Sequence, residues 1–188
     1  MSMSELHKPE WYGECAIISD KYNDYVQIKY KCNGTGTLYD YSLFPGINLI
    51  FMDFNCSDIF HEPIPNKNII EIRHYQKGRV EFELRNNKVF HMKEGELCIN
   101  ALANVPAAYS FPFGYSVGLS CVIDKDSIDA KTKQIFSYYN IDVLNLGQEL
   151  EIEKKWFLCR TPQRLLHIFD ELYTAKGVEG KDYFRIKL

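Results

Sequence analysis

The chain has 188 residues and a mass of 22.0 kDa; 46% of its residues are hydrophobic and 25% charged, and its formal net charge is −3. This size suits one domain with a full core, and the composition excludes the charge-rich, apolar-poor class of disordered chains. Scattered Lys and Arg leave no basic stripe of the kind a free-standing nucleic-acid binder presents, and no apolar run approaches the roughly 20 residues that span a bilayer.

Residues 1–10 are polar and lack the apolar stretch of a secretory signal, which points to a cytoplasmic protein. The next expected elements are strands, read from β-branched and aromatic residues between turn signals. Residues 25–31 alternate with Val26, Ile28 and Tyr30 on one side. Residues 47–54 are a nearly continuous apolar run opened by Pro45 and Gly46, and a strand over 69–75 is closed by Gly78. A hairpin follows: Val80, Phe82 and Leu84 point inward, Asn86 and Asn87 make a two-residue turn, and 89–92 returns. Lys93 to Glu96 supplies a turn before a strand over 97–100, and another strand covers 118–123. Between them, Asn104-Val105-Pro106 and Phe111-Pro112-Phe113-Gly114 read as loops. Closely spaced strands without intervening helices argue for an antiparallel sandwich or barrel and against a parallel α/β fold.

After Ile123 helical patterns take over. A helix over 127–139, capped by Asp126, places Ile128, Ile135, Phe136 and Tyr139 near one face. A short strand over 156–159 precedes a second helix, with Thr161 as cap and Pro162 at its first position, ended by Gly177. A third helix begins near Glu179 and is still apolar at Leu188, so the natural chain is expected to continue. The six cysteines, at 15, 32, 56, 98, 121 and 159, have no metal-ligand spacing and read as reduced, mostly buried thiols.

The run Ile69-Ile70-Glu71-Ile72-Arg73-His74-Tyr75-Gln76-Lys77-Gly78-Arg79-Val80-Glu81-Phe82-Glu83-Leu84, then Lys93-Glu94-Gly95-Glu96-Leu97, resembles the N-terminal effector domain of AraC-family transcription regulators. The tail, His167-Ile168-Phe169-Asp170-Glu171-Leu172-Tyr173 followed by Tyr183-Phe184-Arg185-Ile186-Lys187-Leu188, resembles that family's helical pair. The resemblance covers about Leu43 to the end. It implies a mainly β fold, a cupin-like double-stranded β-helix over 1–160, followed by a helical hairpin over 161–188 through which two subunits pair. It implies a small-molecule effector and a homodimer; the sequence carries no G-x-S-x-G, P-loop or G-x-G-x-x-G motif, and neither enzymatic activity nor a cofactor is expected. DNA contact is implied only through a C-terminal helix-turn-helix domain not contained in this sequence.

Candidate ligand-binding residues are Glu71, Arg73 and Tyr75, which alternate onto one side of a strand, with Met52 and Phe82. That side faces either a cavity or solvent, because Ile70 and Ile72 opposite them can equally form the core face. Phe111, Phe113 and Tyr115 are further pocket candidates, although aromatics fill barrel cores for packing reasons alone. His74, Glu81 and His91 match the ligand pattern of metal cupins poorly, since His74 has no partner two residues away; no metal is expected. Leu165, Phe169, Leu172, Phe184 and Leu188 form either a packing seam onto the barrel or a dimer interface, and a mixture of the two is expected. The alternatives to a regulatory module are a metal-dependent cupin enzyme and a stand-alone small-molecule-binding protein.

Overall fold

A computed structural model of the chain describes residues 12–13, 15–60, 65–84, 88–103, 106–146 and 148–187. The chain is mainly β: a curled antiparallel half-barrel backed by three α-helices. The strands are β1 (Ala16–Lys21), β2 (Val26–Tyr30), β3 (Gly34–Phe44), β4 (Ile47–Cys56), β5 (Asp58–Phe60), β6 (Asn66–Leu84), β7 (Val89–Lys93), β8 (Glu96–Leu102), β9 (Pro106–Ser110), β10 (Ser116–Asp124) and β11 (Phe157–Arg160). The helices are α1 (Ala130–Tyr138), α2 (Gln163–Ala175) and α3 (Lys181–Lys187). Among the described residues, no helix is long and apolar enough to cross a membrane.

Strand β6 organises the sheet. Its first part lies between β10 and β8, and its last part lies between β7 and β9. Gly78, expected to end a strand, instead sits within this one, where it passes from the first set of partners to the second. Its φ is +86°, and a Cβ there would lie 2.4 Å from the Tyr115 carbonyl oxygen. Only glycine accepts both the conformation and the close approach, so the strand bends without ending.

Both faces of the curled sheet are covered. Inward-facing Ile28, Leu38, Ile50, Met52, Phe54, Phe82 and Val122 form the interior core. On the outside, Tyr41, Leu43, Leu49, Phe51 and Leu119 pack under α2 and α3, while Ile47, Ile70, Cys121 and Ile123 pack with Ile128 and with Val143 and Ile152 from the segment after α1. This double burial explains why 47–54 reads as a nearly continuous apolar run, since Leu49, Ile50, Phe51 and Met52 enter the two cores in turn, while Asp53 is exposed.

Several expectations need correction. β1, β3 and β5 had no counterpart in the sequence reading, and Pro106 opens strand β9, at a first-residue position where its missing N–H costs little. The cap of α1 is Asp129, which accepts from the Thr132 N–H at 2.7 Å, and not Asp126; Asp126 instead accepts from Asn68 Nδ2. The helix begins at Ala130, so the buried Ile128 precedes it, and Tyr139 is 67% exposed. Thr161 makes no capping bond, and its hydroxyl is buried without a partner; Pro162 takes the cap position of α2. The Asn86-Asn87 turn, the Asn104-Val105 loop and Leu188 lie outside the described residues, while the flanking ladder does pair Val80 with Met92 and Phe82 with Phe90.

Candidate functional site

Register places one row of inward side chains across five strands: Asp40 on β3, Ile50 on β4, Ser120 on β10, Arg73 on β6 and Cys98 on β8. The neighbouring row runs Leu38, Met52, Gly118 and Tyr75. Gly118 has no side chain because the Tyr75 ring occupies that space: a Cβ would meet the ring at 2.8 Å and the His74 carbonyl oxygen at 2.8 Å. From these rows Ile50, Ser120, Arg73, Leu38, Met52 and Tyr75 line a cavity inside the half-barrel. Its volume is about 60 Å³.

The wall is apolar at Leu38, Ile50, Phe54, Leu102 and Val122, and polar where Glu71, Arg73 and Ser120 meet. Arg73 is 4% exposed and Glu71 6%. The Glu71 carboxylate accepts from Arg73 Nε at 3.1 Å, from Arg73 Nη2, and from the Ser120 hydroxyl at 2.6 Å. The guanidinium carbon lies 4.9 Å from the centre of the Phe82 ring and 5.6 Å from that of Tyr109, and Nη2 reaches the Tyr109 phenol at 3.5 Å. Arg73 Nη1 is buried without a hydrogen-bond partner. Burial alone works against the Arg73 charge, but the adjacent carboxylate outweighs it and holds the guanidinium more firmly protonated than usual. Burial raises the phenols of Tyr30, Tyr75 and Tyr109 above the ordinary tyrosine value, and it pushes the Cys98 thiol up to about 12, so these groups stay neutral. The result is a buried recess with one internally balanced ion pair and unspent donor capacity.

Of the two orientations open to Glu71, Arg73 and Tyr75, the structure has all three on the cavity wall, together with Met52. Phe82 lies behind the guanidinium rather than on the wall. Phe111 is buried and stacks on Phe54 with ring centres 4.9 Å apart, whereas Phe113 and Tyr115 are 63% and 45% exposed. Sequence reading missed Ser120, Tyr109, Tyr30 and Tyr12. Tyr12 donates to the buried Asp40 carboxylate at 2.7 Å, and Tyr30 donates to the Tyr12 carbonyl at 3.0 Å. Ser120 was findable only through register, since its partner is 49 residues away.

The alternate residue of β6, His74, points to the opposite face. Its ring stacks on Phe169 of α2 with centres 4.1 Å apart and planes 6° from parallel. The Tyr173 phenol donates to the His74 carbonyl at 3.0 Å, and the neutral imidazole then donates from Nδ1 to that phenol oxygen, also at 3.0 Å. Burial pushes the imidazole down to about 4, opposed by Asp170. Helix α2 is therefore docked on the back of the strand whose front carries Arg73 and Tyr75. Glu81 and His91 face each other across β6 and β7, so they do not converge with His74.

Leu172 and Phe184 are 3% and 0% exposed, and Phe184 packs on the Tyr41 and Phe51 rings. These two pack onto the sheet within the chain itself. Leu165 and Phe169 are half-buried.

No protein-family model and no curated protein matches the sequence. Among solved structures, the chain is similar to an HTH_3 family transcriptional regulator from Vibrio cholerae at 16% identity, with 46% of this chain and 50% of that chain covered and a TM-score of 0.36. It is similar to ToxT from Vibrio cholerae O395 at 10% identity, covering 74% and 52%, with a TM-score of 0.39. It is also similar to a Cupin 2 conserved barrel domain protein from Salinispora arenicola CNS-205 at 10% identity, covering 58% and 88%, with a TM-score of 0.38. The chain spans about half the length of the two regulators. These are distant likenesses, and the site described above rests on this chain's own ladders and contacts.

Proposed function

We propose that the chain is the effector-sensing part of an AraC-type transcription regulator, without enzymatic activity. In this reading the half-barrel is a cupin-like double-stranded β-helix that takes a small molecule into the cavity at Glu71, Arg73 and Tyr75. Helices α2 and α3 form the helical hairpin of a cytoplasmic homodimer, and DNA is reached through a helix-turn-helix domain outside these 188 residues. The observation that carries the proposal is the position of α2. A guest touching Arg73 and Tyr75 presses on the strand whose other face holds α2 through His74, Phe169 and Tyr173. A ligand that favours one arrangement of that joint shifts its population, and nothing more is required for regulation. The order of sequence motifs supports the family reading, and free thiols at all six cysteines suit a reducing compartment.

A thermal-shift screen of metabolites on the chain tests this. A ligand specific to the folded state raises apparent stability progressively with its concentration, and the proposal expects such a ligand whose effect is lost in Tyr75→Ala. A screen without any saturable stabiliser overturns it.

A further inference from the structure

We infer that the cavity selects an uncharged, single-ring molecule carrying one carbonyl or hydroxyl oxygen, and rejects the corresponding carboxylate. The inference rests on the cavity being the sensing site and adds the chemical class of its ligand.

Size comes first. The cavity is small, about 60 Å³, which excludes fused-ring and long-chain guests unless the wall moves. Its lining is chiefly aliphatic and aromatic, which favours an apolar body.

Charge comes second. Within the described part of the cavity wall, the ionised groups are Glu71 and Arg73, and they already neutralise each other at hydrogen-bond distance. A carboxylate entering beside them adds one uncompensated negative charge in a recess that water scarcely reaches, close to the Glu71 carboxylate. An uncharged oxygen adds none. Donor supply comes third. Arg73 spends Nε and Nη2 on Glu71 and Tyr109, while Nη1 is buried with no partner. A ligand oxygen that accepts from Nη1 relieves that deficit, and a pure hydrocarbon of the same shape leaves it in place.

The test uses three probes of one shape at neutral pH: acetophenone, benzoate and isopropylbenzene, titrated separately into the 188-residue chain and followed by amide chemical shifts. Acetophenone is expected to bind at least tenfold more tightly than either of the others. In Glu71→Gln the Arg73 charge is no longer balanced, so the ratio of benzoate to acetophenone affinity rises at least tenfold. In Arg73→Met, acetophenone and isopropylbenzene become equal within about twofold. Benzoate binding best, or all three binding alike, to the wild-type chain overturns the inference while leaving the sensing site intact. Binding of none overturns it as well, and if the metabolite screen is also blank the sensing reading falls with it. If neither variant folds, the wild-type ranking alone decides.

Discussion

Replacing Glu71 with Gln keeps the side chain's shape and removes its charge. The new amide group presents N–H donors where Arg73 Nη2 also donates, and Ser120 keeps at best a neutral acceptor. Arg73 is 4% exposed, so its charge cannot turn to water for compensation. Breaking one side of a buried ion pair costs about 3–5 kcal/mol, whereas exchanging both partners for apolar residues of similar volume is near neutral. Glu71→Gln is therefore expected to lower the melting temperature by roughly 6–20 °C, at about 2–4 °C per kcal/mol for a chain of this size. The double variant Glu71→Leu/Arg73→Met should fall within about 1 kcal/mol of wild type, and so be more stable than either single change. Urea unfolding of wild type, Glu71→Leu, Arg73→Met and the double variant, compared at constant m-value, gives the coupling directly. Additive single effects would refute the reasoning, because they would mean that the two groups do not compensate each other in the folded state.

Phe184→Ala removes a fully buried ring packed on Tyr41 and Phe51, and is expected to cost about 3–5 kcal/mol in urea unfolding, against less than about 0.5 for Ile186→Ala, whose side chain is 84% exposed. Gly118→Ala drives a methyl group into the Tyr75 ring and the His74 carbonyl, with an expected loss of about 1–3 kcal/mol and altered near-UV circular dichroism from Tyr75. His74 is held near 4 in the folded chain, below its ordinary 6.5, so the unfolded chain takes up the proton first. Stability from this group is complete above about pH 6.5 and declines as pH falls toward 4, by on the order of 1–2 kcal/mol once partial solvent screening is allowed for. The decline should flatten in His74→Phe, and imidazole chemical shifts that titrate near 6.5 would contradict the packing described.

The parts legible in the sequence are those where one local rule decided the outcome. The Val80, Phe82, Leu84 alternation and its return strand set the hairpin, and Pro45-Gly46 marked the start of β4. Gly78 misled because glycine ends strands and also bends them, and only the Tyr115 carbonyl on the neighbouring chain segment tells the two apart. Glu71, Arg73 and Tyr75 were grouped correctly by period, yet their direction stayed open for a physical reason: Ile70 is buried too, in the core outside the sheet. A strand covered on both faces has no solvent side, so a polar row does not reveal which way it points. Ser120 and Tyr109 complete the polar end from β10 and β9, distant in sequence, where nothing local distinguishes them from other strand residues. His74 matched a metal-ligand pattern poorly in the sequence, and its packing depends on Phe169 and Tyr173, 95 and 99 positions further along.

Methionine methyl groups offer the most direct test of ligand entry. Met52 lines the cavity, while Met92 is buried in the same interior core but off the cavity wall. In the chain labelled at methionine methyl carbons, a small uncharged ring compound that stabilises the fold should shift the Met52 resonance in a saturable way and leave Met92 nearly unmoved. A stabilising ligand that leaves Met52 unchanged, or moves both methyls equally, would contradict a guest held beside Glu71 and Arg73.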